Sequence, residues 1–484
     1  MKPLKPPRDR GDRWIFAGLL ALLFWLPLPW GSNTPWSAAL LATLSLSLVS
    51  MWLMLAALGV VRPGYKLSRL AAPALWWALW LGWLGLALLP MSLDALGRWS
   101  PAAAQLYGQA GALIDGVTPR ISIAPGATAA AWLLSAGYAA LYFLVMLTCI
   151  RRPDRIRLVL LTIVVAGLAQ ALYGSLMVLS GLEYGFFREK LFYRDVATGT
   201  FVNRNHLAGY LQLAGAAALG LILADLSIDG GARSWRQRAL DFIAWAFSPK
   251  VRIRIVLVIM AVALVMTRSR MGNIAFFAAL VICGMGYILL RHRQLAFRAF
   301  LLFSSVILID LLIVSQWYGL EQLVERIETT EMEGEGRTQF LEEVPPVVET
   351  YWQAGAGLGA FAQAYAPYRS PQMRQYFDHA HNDYIEFLIE TGAPGLLLLA
   401  SFVLAHAVHA LRVVRLRRRR LGGAAAFAAL MSMTAVGIHS LTDFNLQIPA
   451  NAATLIGLMA LVAACSSEAA PRRQKLDDDA RELA

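Results

Sequence analysis

The densest group of side chains that could do chemistry lies between Asp378 and Asp383, in the sequence DHAHND. A histidine titrates near neutral pH, so His379 or His381 could act as a general base towards a hydroxyl group. Two histidines beside two carboxylates are also compatible with a metal site. Nothing else in the loop supplies a convincing third ligand at a fixed spacing, which favours a site without a metal.

The next residues predict a helix and the way in which it begins. Asp383 and Glu386 have the D-x-x-E spacing of a capping box, so we assign Glu386 to the helix start rather than to catalysis. His381 has no comparable structural role, which makes it the main catalytic candidate. The sequence GAPG at 392–395 then predicts a kink before a long apolar segment.

Arginines form a second group of candidates. Arg268 and Arg270 lie in a turn between two apolar segments that is too short to leave the membrane surface. The planar guanidinium suits bidentate contacts with phosphate, although each arginine could equally contact ordinary lipid headgroups. Arg204 and His206 precede a further apolar segment, and neither is a favoured helix cap, whereas Asn205 is.

Composition indicates what kind of protein carries these residues. Of its 484 residues 58% are hydrophobic and only 15% are charged, whereas soluble proteins average about 25% charged residues. We therefore expect a polytopic membrane protein, in which the net charge of +12 sets topology and does not indicate nucleic-acid binding. The first apolar segment lacks a small-residue cleavage site, so we expect no cleavable signal peptide.

Apolar segments of about 20 residues can span a membrane. Twelve such segments are present, near 14–30, 36–61, 70–90, 128–150, 158–182, 206–226, 254–267, 271–290, 299–317, 383–411, 422–440 and 449–465. If all of them span and both termini are cytoplasmic, most of the 43 Lys and Arg residues lie on the cytoplasmic side. The positive-inside rule favours this orientation in a bacterial inner membrane.

This topology divides the chain into four parts. Residues 1–317 contain transmembrane helices 1–9, and 318–382 form a large acidic periplasmic loop that caps the membrane domain. Residues 383–465 contain helices 10–12, and 466–484 form a cytoplasmic tail. Three glycines mark an irregular connection within the cap, namely Gly355, Gly357 and Gly359.

Five sequence stretches together resemble the superfamily of O-antigen ligases and O-antigen or exopolysaccharide polymerases. They are HAHNDYIEFLIETGAPG at 379–395, TRSRMGN at 267–273, GLGAF at 357–361, GTFVNRNHLAGYL at 199–211 and HSLTDFNLQIP at 439–449. The resemblance covers roughly residues 185–465.

The resemblance implies an all-α fold with the architecture of lipid-carrier glycosyltransferases. It implies a metal-independent, inverting glycosyl transfer at the periplasmic face, without a cofactor, from a glycan donor on undecaprenyl pyrophosphate. Ligases transfer the glycan to a lipid A–core sugar and polymerases transfer it to another lipid-linked repeat unit. Both reactions remain open, as do the sugars involved.

Carried over by motif, the resemblance makes His381 and Arg270 the catalytic residues. We expect the pyrophosphate or the glycan to contact the remaining candidates, namely Arg268, Arg204, Arg337, Asn382, His379 and His206.

A transporter or flippase of lipid-linked saccharide is the alternative. Twelve spans, a helix broken by Pro and Gly, and arginines at the membrane edge would suit it as well. A transporter, however, places its polar groups near the membrane midplane and usually contains a repeat. Here the candidates gather on one predicted face and no repeat is visible, so the enzyme hypothesis is favoured.

Overall fold

The computed structural model describes residues 11–61, 70–226, 249–290, 293–317, 340, 342–371, 377–416 and 420–465. These residues are mostly helical, with one antiparallel hairpin of strands β1 (Tyr184–Gly185) and β2 (Arg188–Glu189). The helices are α1 (Arg13–Trp25), α2 (Pro35–Ala57), α3 (Ala71–Leu86), α4 (Leu93–Trp99), α5 (Pro101–Leu113), α6 (Pro125–Cys149), α7 (Pro153–Ser180), α8 (Arg204–Ala224), α9 (Pro249–Met266), α10 (Arg270–Leu289), α11 (Arg293–Trp317), α12 (342–351), α13 (Phe361–Tyr365), α14 (Asp383–Leu416), α15 (Arg420–His439) and α16 (Pro449–Cys465).

Seven of the described helices are long and apolar enough to cross a membrane, namely α2, α6, α7, α8, α10, α14 and α15. Shorter apolar helices are α1, α3, α16 and the part of α11 between Ala296 and Leu308. The expected class, an all-α polytopic membrane protein, agrees with these lengths and compositions. The number of twelve spans stays a prediction, and the small β1–β2 hairpin was not expected.

Helix α8 lies at the centre of the bundle, where it packs against α7, α9 and α15. Every residue of its 18-residue apolar window is buried. Its small residues explain this position, because glycines let neighbouring helices approach closely in a membrane. A Cβ atom on Gly220 would lie 2.5 Å from the Ala424 carbonyl oxygen of α15, and one on Gly215 would lie 2.9 Å from Phe276 of α10.

Loops that we expected on the external side meet at one end of the bundle, which we call the loop end. The hydrogen bonds that join them there include Thr200 Oγ1 to Pro27 O (2.5 Å), Ala197 N to Met266 O (2.9 Å), Ile123 N to Ala356 O (2.9 Å) and Asn382 Nδ2 to Leu441 O (3.0 Å). The helix order therefore places these loops on the same side, as the predicted topology requires.

The opposite end is held by a buried ion pair. Asp12 accepts from Arg152 Nη1 at 3.0 Å and from Arg155 Nη2 at 2.7 Å. Burial alone would raise the pKa of Asp12, but the hydrogen bonds and charges of Arg155 and Arg152 outweigh it and lower the pKa. The start of the chain is thereby tied to the connection between α6 and α7.

The described part of the cap has a small apolar core of its own, which includes Phe340, Val347, Phe361, Tyr365 and Phe377. Ala380, from the segment that carries the two candidate histidines, is buried in the same core. The cap therefore fixes the position of the histidine segment from one side. Arg337 lies outside the described residues.

The glycine connection and the predicted kink are both present and contact each other. Gly355, Gly357 and Gly359 have φ of 82°, 101° and 82°, and Gly392 interrupts α14 with φ 65° and ψ 178°. Ala393 N donates to Trp352 O at 2.6 Å, and Gly357 N donates to Glu390 O at 2.8 Å. The glycine connection thus packs directly against the kinked part of α14.

We expect Gly392→Ala to lower the free energy of unfolding by about 1–3 kcal/mol, because only glycine tolerates this backbone conformation. The added Cβ would also lie 2.6 Å from the Gln353 carbonyl oxygen. Thermal unfolding in detergent measures the effect. Gly286→Ala is the matched control, since its Cβ would meet nothing within 4 Å in a regular helix; equal stability of the two variants would contradict the prediction.

Candidate active site at the loop end

The aromatic ring of Phe444 brings together three histidines from two distant parts of the chain. Its centroid lies 4.3 Å from the ring of His379, 4.7 Å from that of His206 and 4.9 Å from that of His381. His379 stacks on the face of Phe444, whereas the other two rings meet it edge-on. Phe444 belongs to the loop between α15 and α16.

His379 is paired with a buried carboxylate. Its Nδ1 donates to Glu386 Oε1 at 2.6 Å, and Glu386 Oε2 accepts from Ala380 N at 2.8 Å. Burial alone would lower the pKa of His379, but the hydrogen bond and charge of Glu386 outweigh it and raise the pKa to about 9. His379 therefore carries a positive charge at neutral pH and cannot serve as a base there.

The predicted capping box of Asp383 and Glu386 is wrong. Asn382 caps α14 instead, since its Oδ1 accepts from Tyr384 N at 3.0 Å and from Ile385 N at 3.1 Å. Asp383 Oδ2 accepts from Ser440 Oγ at 2.6 Å, a contact with another loop. Both carboxylates bind partners outside the first turn of α14, and these contacts replace the capping hydrogen bonds that their spacing predicted.

His381 lies between the cap and the loop that carries Phe444. Its ring meets Phe377 edge-on at 5.8 Å and Phe444 at 4.9 Å. Its backbone has φ 48°, a left-handed conformation that is uncommon outside glycine. The neighbours on both sides hold it there, because Ala380 is buried in the cap core and Asp383 N donates to Ser440 O at 3.0 Å.

A buried glutamine connects the start of α10, beside the arginine turn, to the end of α15. Gln212 of α8 donates from Nε2 to Gly272 O at 2.7 Å and to His439 Nδ1 at 3.2 Å. His439 ends α15 and is fully buried. A second polar pair lies beside it, with His206 Nε2 at 3.8 Å from Asp443 Oδ1.

The arginine turn lies at the loop end, as predicted. Ser269 caps α10 by accepting from Gly272 N at 3.2 Å, so Arg270 is the first residue of that helix. Arg270 is exposed, and Arg268 is half-buried with φ 52°. Arg268 and Arg270 thus flank the N-cap of α10 at the positive end of its helix dipole, and such an end favours an anion.

Arg204 begins α8, and its guanidinium carbon lies 5.6 Å from the ring centroid of Tyr193. The cap of this helix is Asn203, whose Oδ1 accepts from Asn205 N at 2.8 Å, so the expected capping role of Asn205 is wrong. The structure therefore brings His206, His379 and His381 into contact around Phe444, and places Asn382, Arg204, Arg268 and Arg270 in loops and helix starts of the same end. Whether these residues bind or convert a substrate stays a prediction.

Four residues of this arrangement escaped the sequence analysis, namely Phe444, Asp443, Gln212 and Glu386 as a partner of His379. A glutamine inside an apolar helix is a usable signal, since polar groups within a membrane need a reason to be there. A phenylalanine in a loop carries no comparable signal.

Within the described ranges, no group of three or more His, Cys, Asp and Glu side chains is arranged to hold a metal ion. The expectation of a metal-independent reaction remains to be tested by experiment.

The fold and this cluster define a helical multi-pass membrane protein with a histidine and arginine site built from the loops at one end. The family model described as O-antigen ligase matches residues 255–400. This range contains the arginine turn, the glycine connection and the histidine segment, so the resemblance to the O-antigen ligase and polymerase superfamily is confirmed. The stretches 199–211 and 439–449 lie outside the match, but both contribute to the cluster around Phe444. No curated protein matches the chain.

The pairing of His379 and Glu386 predicts a pH-dependent stability. A histidine whose pKa rises from 6.5 to about 9 on folding stabilises the fold fully below about pH 6.5, and this contribution disappears as the pH rises through 9. We expect Glu386→Gln to lower the melting temperature most near pH 6 and much less near pH 10.

Melting curves of the detergent-solubilised protein at a series of pH values measure this difference. The control is the same substitution in a His379→Gln background. This background has no imidazolium, so Glu386→Gln cannot remove an ion pair there. A melting-temperature loss that is the same at every pH would contradict the assignment.

Proposed function

We propose that this protein is an inner-membrane glycosyltransferase that works at the periplasmic face. It transfers a glycan from undecaprenyl pyrophosphate to a sugar hydroxyl of an acceptor, as an O-antigen ligase or a polymerase of O-antigen or exopolysaccharide repeats. The observation that carries the proposal is the meeting of the histidine segment, the arginine turn and the loop of Phe444 at one end of the bundle. The O-antigen ligase match over the first two elements supports it.

The charges of the site suit the departure of a pyrophosphate. As the bond between the anomeric carbon and the pyrophosphate oxygen breaks, negative charge develops on the leaving group, and fixed cations stabilise it. Arg268 and Arg270 provide two such cations at the positive end of α10, with Arg204 nearby at the start of α8. We assign Arg270 to this catalytic role and expect the reaction to proceed without a divalent metal.

His381 is the proposed general base. It takes the proton of the acceptor hydroxyl while that oxygen forms a bond to the anomeric carbon on the face opposite the pyrophosphate, which inverts the configuration. His379 cannot share this role at neutral pH, because Glu386 keeps it protonated. Its charge instead favours the pyrophosphate or the glycan close to His381. His206, whose ring meets Phe444 edge-on, remains a proposed contact of the same substrate.

Asn382 and Arg337 complete the proposed substrate contacts. The described hydrogen bonds of Asn382 hold the start of α14 and the 440–448 loop, so its effect on substrate would pass through the position of His381. Transport of lipid-linked saccharide fits the structure less well, because the candidate residues lie in loops and helix ends rather than midway along the helices.

Ligation and polymerisation differ in what a deletion strain accumulates. If the protein polymerises, the ladder of repeat lengths disappears from the lipid carrier. If it ligates, the ladder remains on the carrier and the acceptor stays bare. Electrophoresis of carrier-linked and acceptor-linked glycans separates the two reactions.

We expect His381→Ala to slow transfer by about 100-fold or more, the usual range for loss of a general base. Wild-type protein should keep its activity in EDTA. The assay uses purified protein, lipid-linked glycan and acceptor, with intact folding checked by the melting temperature. Full activity of His381→Ala, or a requirement for a divalent metal, would refute the mechanism.

We expect Arg270→Gln to reduce turnover by about 10- to 100-fold, which corresponds to the loss of one charge-assisted hydrogen bond. Arg270→Lys should recover only part of it, since lysine keeps the charge but loses the planar fork. Arg412→Gln is the matched control, an exposed arginine near the far end of α14 that should have no effect. Equal activity of the Arg270→Gln and Arg412→Gln variants would remove Arg270 from the site.

A further inference from the structure

The β1–β2 hairpin has a firmly built base. Lys190 is buried and its Nζ lies 2.7 Å from Glu183 Oε2, while the same nitrogen donates to Val196 O at 3.0 Å. Tyr173 of α7 donates to Tyr184 O at 3.2 Å. The hairpin is therefore anchored to the loop end of α7 and projects from it in a defined direction.

The tip of the hairpin is unusual in composition. Phe186 and Phe187 form its two-residue turn, with φ of 45° and 68°. Turns of this kind strongly favour Asn-Gly, because both central residues need positive φ. Two phenylalanines at these positions are strained, so a stabilising environment for their rings is needed outside the hairpin itself.

Three apolar side chains, one at the turn and two just after β2, are exposed. Phe187 is 86% exposed, Leu191 80% and Phe192 73%. An apolar patch of this kind on the surface marks a contact with a partner or a membrane.

The position of this apolar patch indicates that it contacts a membrane. It follows directly on α7, where Leu172, Leu176 and Leu179 are exposed at helical spacing, as expected of a face towards lipid. Arg188 lies with its guanidinium carbon 5.3 Å from the ring centroid of Trp30, and Phe186 meets the same ring edge-on at 5.3 Å. Tryptophan and arginine together are typical of the zone between hydrocarbon and headgroups.

We propose that the exposed apolar side chains of residues 186–192, at the turn and just after β2, insert into the outer leaflet of the phospholipid bilayer as an interfacial anchor. Acyl chains surround Phe187, Leu191 and Phe192, and lipid phosphates contact Arg188. The ordinary phospholipids of the leaflet cover this patch, because it projects from the protein and is continuous with the lipid-facing side of α7. This inference depends on membrane insertion alone and stands apart from the proposed glycosyl transfer.

The anchor has a consequence for the site. From this anchor the chain runs through Val196, whose carbonyl oxygen accepts from Lys190, to Thr200. The Oγ1 of Thr200 donates to Pro27 O and its backbone nitrogen donates to Gln170 Oε1. Arg204 follows at the start of α8. An anchor held in the leaflet would therefore keep Arg204 at the level of the lipid phosphates.

Site-specific labelling tests the proposal in the full-length protein. The three cysteines are free, so Cys149, Cys283 and Cys465 are replaced by alanine before a single cysteine is introduced. Phe187→Cys and, separately, Phe192→Cys are labelled with an environment-sensitive fluorophore in vesicles of phosphatidylethanolamine and phosphatidylglycerol. Glu349→Cys, an exposed position in the cap, is the matched control.

We expect nitroxide groups on the lipid tails to quench the labels at 187 and 192 several-fold more than the label at 349, while iodide in the buffer quenches only 349. Access of iodide to 187 and 192 without quenching by the lipid nitroxides would overturn the proposal. Protection from iodide that appears only after undecaprenyl phosphate is added would also overturn it, and would identify the polyprenyl chain as the occupant instead.

Discussion

The contact between the start of α14 and the 440–448 loop determines where every other element of the site lies. Asp383 accepts from Ser440 Oγ and from Leu446 N at 3.1 Å, and its own nitrogen donates to Ser440 O. A buried carboxylate is tolerated only where donors surround it, so this loop cannot move away without a large loss of stability. Because the loop is fixed, Phe444 reaches His379 and His381 on one side and His206 on the other.

The same requirement organises the charges. Glu386 is buried next to His379 and the Ala380 nitrogen, and Glu390 accepts from Phe361 N at 3.1 Å. Each carboxylate therefore joins α14 to a different element, the histidine segment in one case and the cap in the other. The result is a rigid frame around His381. In the proposed reaction this frame keeps the base aligned while the arginines meet the leaving group.

Features that depend on local composition and spacing were predictable from the sequence. Apolar segments, the arginine turn, the positive-φ glycines and the kink at Gly392 follow from residue types within a few positions. The arrangement around Phe444 was not predictable, because it depends on how α8, α14 and α15 pack against one another. Asp383 and Glu386 show the difference between local spacing and tertiary packing. Their spacing matches a capping box, but their partners, Ser440 and His379, are known only once the packing against α14 is known. The turn at Phe186 and Phe187 went unnoticed because hairpins rarely have such residues.

In the proposed reaction, the site at the loop end breaks the bond between a glycan and its diphosphate carrier. The direct measurement is the release of undecaprenyl pyrophosphate by purified protein in vesicles that contain lipid-linked glycan and an acceptor. We expect one carrier molecule to be released for each new glycosidic bond. Movement of intact lipid-linked glycan between leaflets, with no carrier released, would contradict it and indicate a transporter.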